Sequence, residues 1–221
     1  MYTFGFVRIG TQEKVFMDLT QFKLPANPVD YFRSVYLYPP YYLKYMEEQG
    51  TVFGYDGPHS LDLVPFVFEG SEKKELALQD ARNFVSLLAA VYSVDPGQLI
   101  IAFSGVSGFH VMLPEELFGS LSPSRDLPFI LYHLATKLAD GFKTFSPNVC
   151  LPDSEILLTN SAASETGLHK ILLSSDELLE CTVEGIRELA RNARPRVELF
   201  PRSELSPNAL LRELFLNYSQ R

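Results

Sequence analysis

Apolar and polar residues alternate at the start of the chain. There, residues 2–9 (YTFGFVRI) and 14–19 (KVFMDL) predict two strands joined by a Gly10-Thr11-Gln12-Glu13 turn. Asn27-Pro28 then predicts a short helix over residues 29–35, with Asn27 as its N-cap. Residues 61–68 (LDLVPFVF) read as a strand in which Pro65 marks an edge or a bulge, because proline offers no N–H to a ladder. The period changes over residues 73–92, where apolar side chains at 76, 77, 81, 84, 85, 88 and 91 form one helical stripe. Asp95-Pro96-Gly97 ends that helix, and residues 99–103 (LIIAF) predict a buried strand. Phe109, Val111 and Leu113 alternate with His110 and Met112, predicting a returning strand with two distinct faces. Further along, residues 127–142 predict a helix with Gly141 near its end, and residues 149–159 and 168–173 predict strands. Ser174-Ser175-Asp176-Glu177 has the pattern of a helix start, and residues 207–218 (PNALLRELFLNY) form a last amphipathic helix.

Hairpins interspersed with helices, without regular βα alternation, predict an α+β fold with mixed or antiparallel sheets and flanking helices. A length of 221 residues, 46% of them hydrophobic, suits one core. The expected division is a core domain over residues 1–195, then a Pro-containing linker and C-terminal amphipathic helix over residues 196–221. No apolar run approaches the roughly 20 residues that span a bilayer, and residues 1–10 lack the pattern of a secretory signal. Cys150 and Cys181 make neither a disulfide framework nor a zinc knuckle, so the expected setting is the cytoplasm, with no membrane partner. A net charge of −8 disfavours autonomous DNA binding, because neutralising phosphates supplies most non-specific affinity.

Two segments invite a chemical reading. Tyr36, Tyr38, Tyr41, Tyr42 and Tyr45 offer either stacking platforms for bases or an amphipathic packing surface. In the run Ser104-Gly105-Val106-Ser107-Gly108-Phe109-His110, two glycines permit a tight turn and a close ligand approach. A hydroxyl at its start and an imidazole at its end can both point at one anion such as a phosphate; the plainer alternative is a hairpin with a satisfied histidine.

The order of five segments resembles the archaeo-eukaryotic primase superfamily, which includes primase small subunits and primase-polymerases. These are FGFVRIG (4–10), FVFE (66–69), ALQDAR (77–82), SGVSGFH (104–110) and TNSAASETGLHKILL (159–173), and the likeness runs over roughly residues 2–180. It implies a primase-polymerase-like core in which an acid-x-acid strand holds two divalent cations for nucleotidyl transfer. At those two positions this chain carries Val67 and Glu69, and residues 145–150 (FSPNVC) hold no third acid. Ala163 and Glu165 stand where the family places a histidine and a lysine; Ser107 and Leu157 replace further basic residues. The resemblance therefore implies a degenerate, inactive homologue without a metal cofactor, acting as scaffold or regulator in a DNA replication or priming complex. Its partners would be an active primase, polymerase or helicase subunit, and weak nucleotide or nucleic-acid contact would run through Ser104, Gly105, Gly108 and His110. The alternative is an active minimal primase or primer-extending polymerase with relocated catalytic acids Asp62, Glu69 and Asp153, of which Glu69 and Asp62 would hold Mg²⁺ or Mn²⁺. A third possibility, a structural component that binds no nucleotide, predicts His110 buried and bonded to the backbone. Leu210, Leu211, Leu214, Phe215 and Tyr218 give the last helix an apolar face for such a partner or for its own core.

Overall fold

The computed structural model describes residues 2–49, 54–70, 72–119, 121–194 and 204–219. Among them, the strands form two antiparallel sheets of four. The first contains β1 (Phe4–Ile9), β2 (Val15–Asp18), β3 (Tyr31–Ser34) and β7 (Glu155–Leu157), in the order β2-β1-β3-β7. The second contains β4 (Leu63–Phe68), β5 (Ile100–Phe103), β6 (Phe109–Pro114) and β8 (Ile171–Leu173), in the order β4-β6-β5-β8. The class is α+β, as the pattern of hairpins and helices predicts.

Alternation along β6 divides the second sheet into two unlike faces. Phe109, Val111 and Leu113 join Phe66, Phe68, Phe103 and Ile171 in the main core, beneath α2 (Lys74–Tyr92) and α3 (Leu127–Leu138). The opposite face carries Ala102, Met112 and Leu172, against which Ile156 of β7 packs, so this face turns toward the first sheet. Asp80 of α2 is buried and accepts hydrogen bonds from Thr144 N (2.9 Å) and Thr144 Oγ1 (2.8 Å). That tie holds the segment after α3 against β4, where Glu69 N donates to Thr144 O and Ser146 N to Val67 O.

The helix expected over residues 29–35 is instead strand β3. Asp30 takes a left-handed backbone (φ 53°), which breaks any helix there, and Tyr31–Ser34 pairs with β1 on one side and β7 on the other. Ladder bonds on both edges outweigh the local helix-start signal of Asn27-Pro28. The strand expected over residues 149–159 shortens to β7, because Pro147–Cys150 forms a 3-10 turn. The helix expected over residues 127–142 ends at Leu138, and the strand expected over residues 168–173 begins only at Ile171. α4 (Ser175–Glu180) starts as predicted: Ser174 Oγ accepts from Glu177 N, and the Glu177 carboxylate accepts from Ser174 N.

Most of the tyrosine run is packing surface, while Tyr41 is exposed. Tyr36, Tyr38 and Tyr42 are buried, the last at the start of α1 (Tyr42–Gln49). Their rings meet Phe6, Phe16, Tyr55 and His59 at centroid distances between 4.3 and 6.4 Å, which leaves no open faces for bases. The last helix, α6 (Ala209–Ser219), packs against α3. Leu211 is fully buried there, Leu214, Phe215 and Tyr218 lie against the core, and Leu210 is exposed. The expected linker falls largely on residues 195–203, outside the described residues. Among those described, no helix is long and apolar enough to cross a membrane.

Candidate functional site

The turn between β5 and β6 is held from within and from outside. Ser104 Oγ accepts from the amides of Val106 (3.2 Å), Ser107 (3.2 Å) and Gly108 (2.9 Å). Thr166 Oγ1 donates to Gly105 O (2.5 Å), and Arg187 Nη1 donates to Val106 O (3.1 Å). Gly105 has φ +86°, and a Cβ there would lie 2.9 Å from Leu168 O; at Gly108 it would lie 2.7 Å from Phe68 O. The glycines are thus required by close backbone approach within the protein. Three loop amides point at the serine oxygen and not outward, so the turn is no open cradle for phosphate. What Ser104 has left for a ligand is its own O–H.

Beside this turn, between the two sheets, lies a cleft of about 930 Å³. It gathers Ser104, Gly108 and His110 with Val67 and Glu69 at the end of β4, and with Ala163 and Glu165 from the loop before β8. Arg8 of β1, Phe32 of β3 and Glu155 of β7 close it from the first sheet. Gly105 supports the turn from behind and is not part of the wall. Among the described residues its charged lining is mostly acidic, with Asp30, Glu69, Glu155 and Glu165 facing Arg8.

His110 stands on the cleft side of β6, directly opposite Val67 on β4 and Ala102 on β5. It is buried, but its partner is a side chain and not the backbone: Lys170 Nζ lies 3.2 Å from Nδ1. Burial, and then the neighbouring Lys170, hold the imidazole well below its ordinary value, so it is neutral at pH 7. Lys170 is itself only 1% exposed, and burial together with the Arg33 charge pulls its amine down to about 7. The sequence reading missed this lysine. A signal for it existed, since Lys170 alternates with Leu168 and Leu172 at an inward position of an apolar run.

The alternative acids do not assemble. Asp62 precedes β4 and Glu69 follows it, so at roughly 3.3 Å per residue their backbones stand about 23 Å apart. Two carboxylates sharing a metal pair must approach within a few ångströms. Asp62 instead holds Arg33, with Oδ1 accepting from Nη2 at 2.6 Å. Asp153 lies toward the tyrosine cluster, where burial first and then its charge raise the phenols of Tyr38 and Tyr42. Its carboxyl is raised by burial, against the lowering influence of Lys14. Glu155 does reach the cleft, but Arg8 (2.6 Å) and Lys14 (3.1 Å) already neutralise it, with the Arg8 guanidinium 4.3 Å above the Phe32 ring. Among the described residues, no three Asp, Glu, His or Cys side chains converge as a metal site. With valine opposite His110, the residues present do not fit a two-cation centre.

No protein-family model and no curated protein matches the chain. Among solved structures, it aligns with the polymerase domain of Mycobacterium tuberculosis ligase D in complex with DNA, at 12% identity and a TM-score of 0.45. That alignment covers 99% of this chain and 82% of the other, a distant likeness of fold.

Proposed function

We propose that this protein is a catalytically degenerate primase-polymerase-like subunit that acts as a scaffold or regulator in a DNA priming, replication or related nucleic-acid-processing complex. The observation that carries this reading is convergence. FVFE, SGVSGFH and the Ala163–Glu165 stretch just ahead of TGLHK, distant in the chain, meet around one cleft between two sheets, with valine where a metal-binding acid would be needed. Ser104 and His110 provide two donors for weak contact with a nucleotide phosphate, while Gly105 and Gly108 shape the turn. The acidic walls oppose a free triphosphate, which suits a subunit whose work lies in its protein partners. Such a partner would be an active primase, polymerase or helicase subunit.

Calorimetric titration with ATP, with and without Mg²⁺ or Mn²⁺, tests the reading together with a primer-extension assay. Weak binding that metal does not tighten, and no extension, is the expected result. Tightening by metal of about tenfold or more, with extension, would overturn it in favour of an active polymerase.

A further inference from the structure

Lys170 and His110 are 60 residues apart in sequence, yet they meet as a pair buried between the sheets. A lysine ammonium carries three donors and no acceptor, so the imidazole nitrogen that faces it has to be bare. His110 is neutral and has one ring hydrogen to place. We propose that Lys170 is a positioning residue that fixes this hydrogen on Nε2, so that His110 presents a neutral N–H donor to one phosphate oxygen in the cleft. The phosphate part of this inference rests on the cleft being a site of nucleotide contact.

Three observations support it. His110 lines the cleft while its Nδ1 edge is taken by Lys170, and among the described residues nothing bonds Nε2. Ser104 contributes a second neutral donor at the same wall, because its oxygen already accepts three loop amides. Within the described residues no carboxylate forms an ion pair with Lys170; a charge acting on it is that of Arg33, itself bonded to Asp62. A carboxylate at position 170 would draw the hydrogen to Nδ1 and leave a bare Nε2 facing the cleft, where it would repel an anion. Glu69, just past the end of β4, is an acidic group on the same wall, so an uncharged donor on the floor distinguishes a phosphate oxygen from the cations those walls attract.

The test uses the ¹⁵N-labelled full chain at pH 6, where Lys170 keeps its proton. Long-range ¹H–¹⁵N correlations, with His110 assigned by comparison with His110→Gln, should show a bare Nδ1 and a protonated Nε2 before any ligand is added. In Lys170→Met the two tautomers should mix. The affinity for inorganic pyrophosphate should then fall in proportion to the rings that lose the Nε2 hydrogen, about twofold for an even mixture. A hydrogen on Nδ1 in the wild type, a doubly protonated ring, or an unchanged tautomer in Lys170→Met would each overturn the proposal. If Lys170→Met does not fold, the wild-type spectrum alone decides. Nε2–H without pyrophosphate binding would uphold the role of Lys170 and count against the nucleotide reading of the cleft.

Discussion

Two buried histidines and one buried lysine make the stability of this protein depend on pH at single residues. His59 is enclosed by Tyr36, Tyr38 and Tyr55, and burial brings it down to about 4; His110 moves the same way. Between about pH 4 and 6.5 the unfolded chain takes up protons at both rings that the folded one refuses, so stability is lost on acidification through that window. Lys170 has the same sign at higher pH. Its folded value near 7 lies below the ordinary value of about 10.4, so its cost is full below pH 7 and eases as pH rises. Above about pH 10 the raised phenols of Tyr38 and Tyr42 reverse the trend as unfolded tyrosines ionise. Urea denaturation of Lys170→Met should therefore show a gain on the order of a few kcal/mol at pH 6, and a flattened rise between pH 7 and 9.5. An undiminished rise in the variant would mean that another group causes it.

At the level of elements, the β5–β6 hairpin is the unit on which the site depends, and its turn is where substitution is least tolerated. Ser104→Ala removes the acceptor of three amides and should cost about 1–2 kcal/mol. Gly105→Ala should cost more, since it adds a clash with Leu168 O to a left-handed backbone. Thermal denaturation of the two variants checks the order, and a harmless Gly105→Ala would contradict it. This hairpin was legible in the sequence because its information is local: alternation in β6, glycines in the turn, an apolar run before it. β3 was not, because its strand state comes from partners in β1 and β7, the latter more than 120 residues away. The role of Ser104 was half legible. Its place at a glycine turn was visible, but the direction of the loop amides depends on the turn's own closure. Asp62 and Glu69 carried a warning in their spacing, since they flank one six-residue strand. The turning of Asp153 toward the tyrosines carried none.

For the molecule as a whole, the cleft lies where two antiparallel sheets turn toward each other, and α2 and α3 keep to the far side of the second one. The outer side of β4 is covered by the segment that follows α3. Its Val67–Glu69 end is closed by backbone bonds from residues 144–146, in a segment tied down by Asp80. Farther along, Pro65 occupies a position whose nitrogen faces outward, by the same alternation that turns Val67 O and Glu69 N outward. Pro65 is buried, so a residue with an N–H there would hold a donor away from water, and proline has none to leave unpaired. Pro65→Val should therefore leave the strand order intact yet lower stability by about 1–3 kcal/mol in urea denaturation, whereas an unchanged midpoint would show that the added N–H finds a partner. A residue that reads as an interruption of a strand thereby lets the sheet end under cover, closing its last row without a stranded hydrogen.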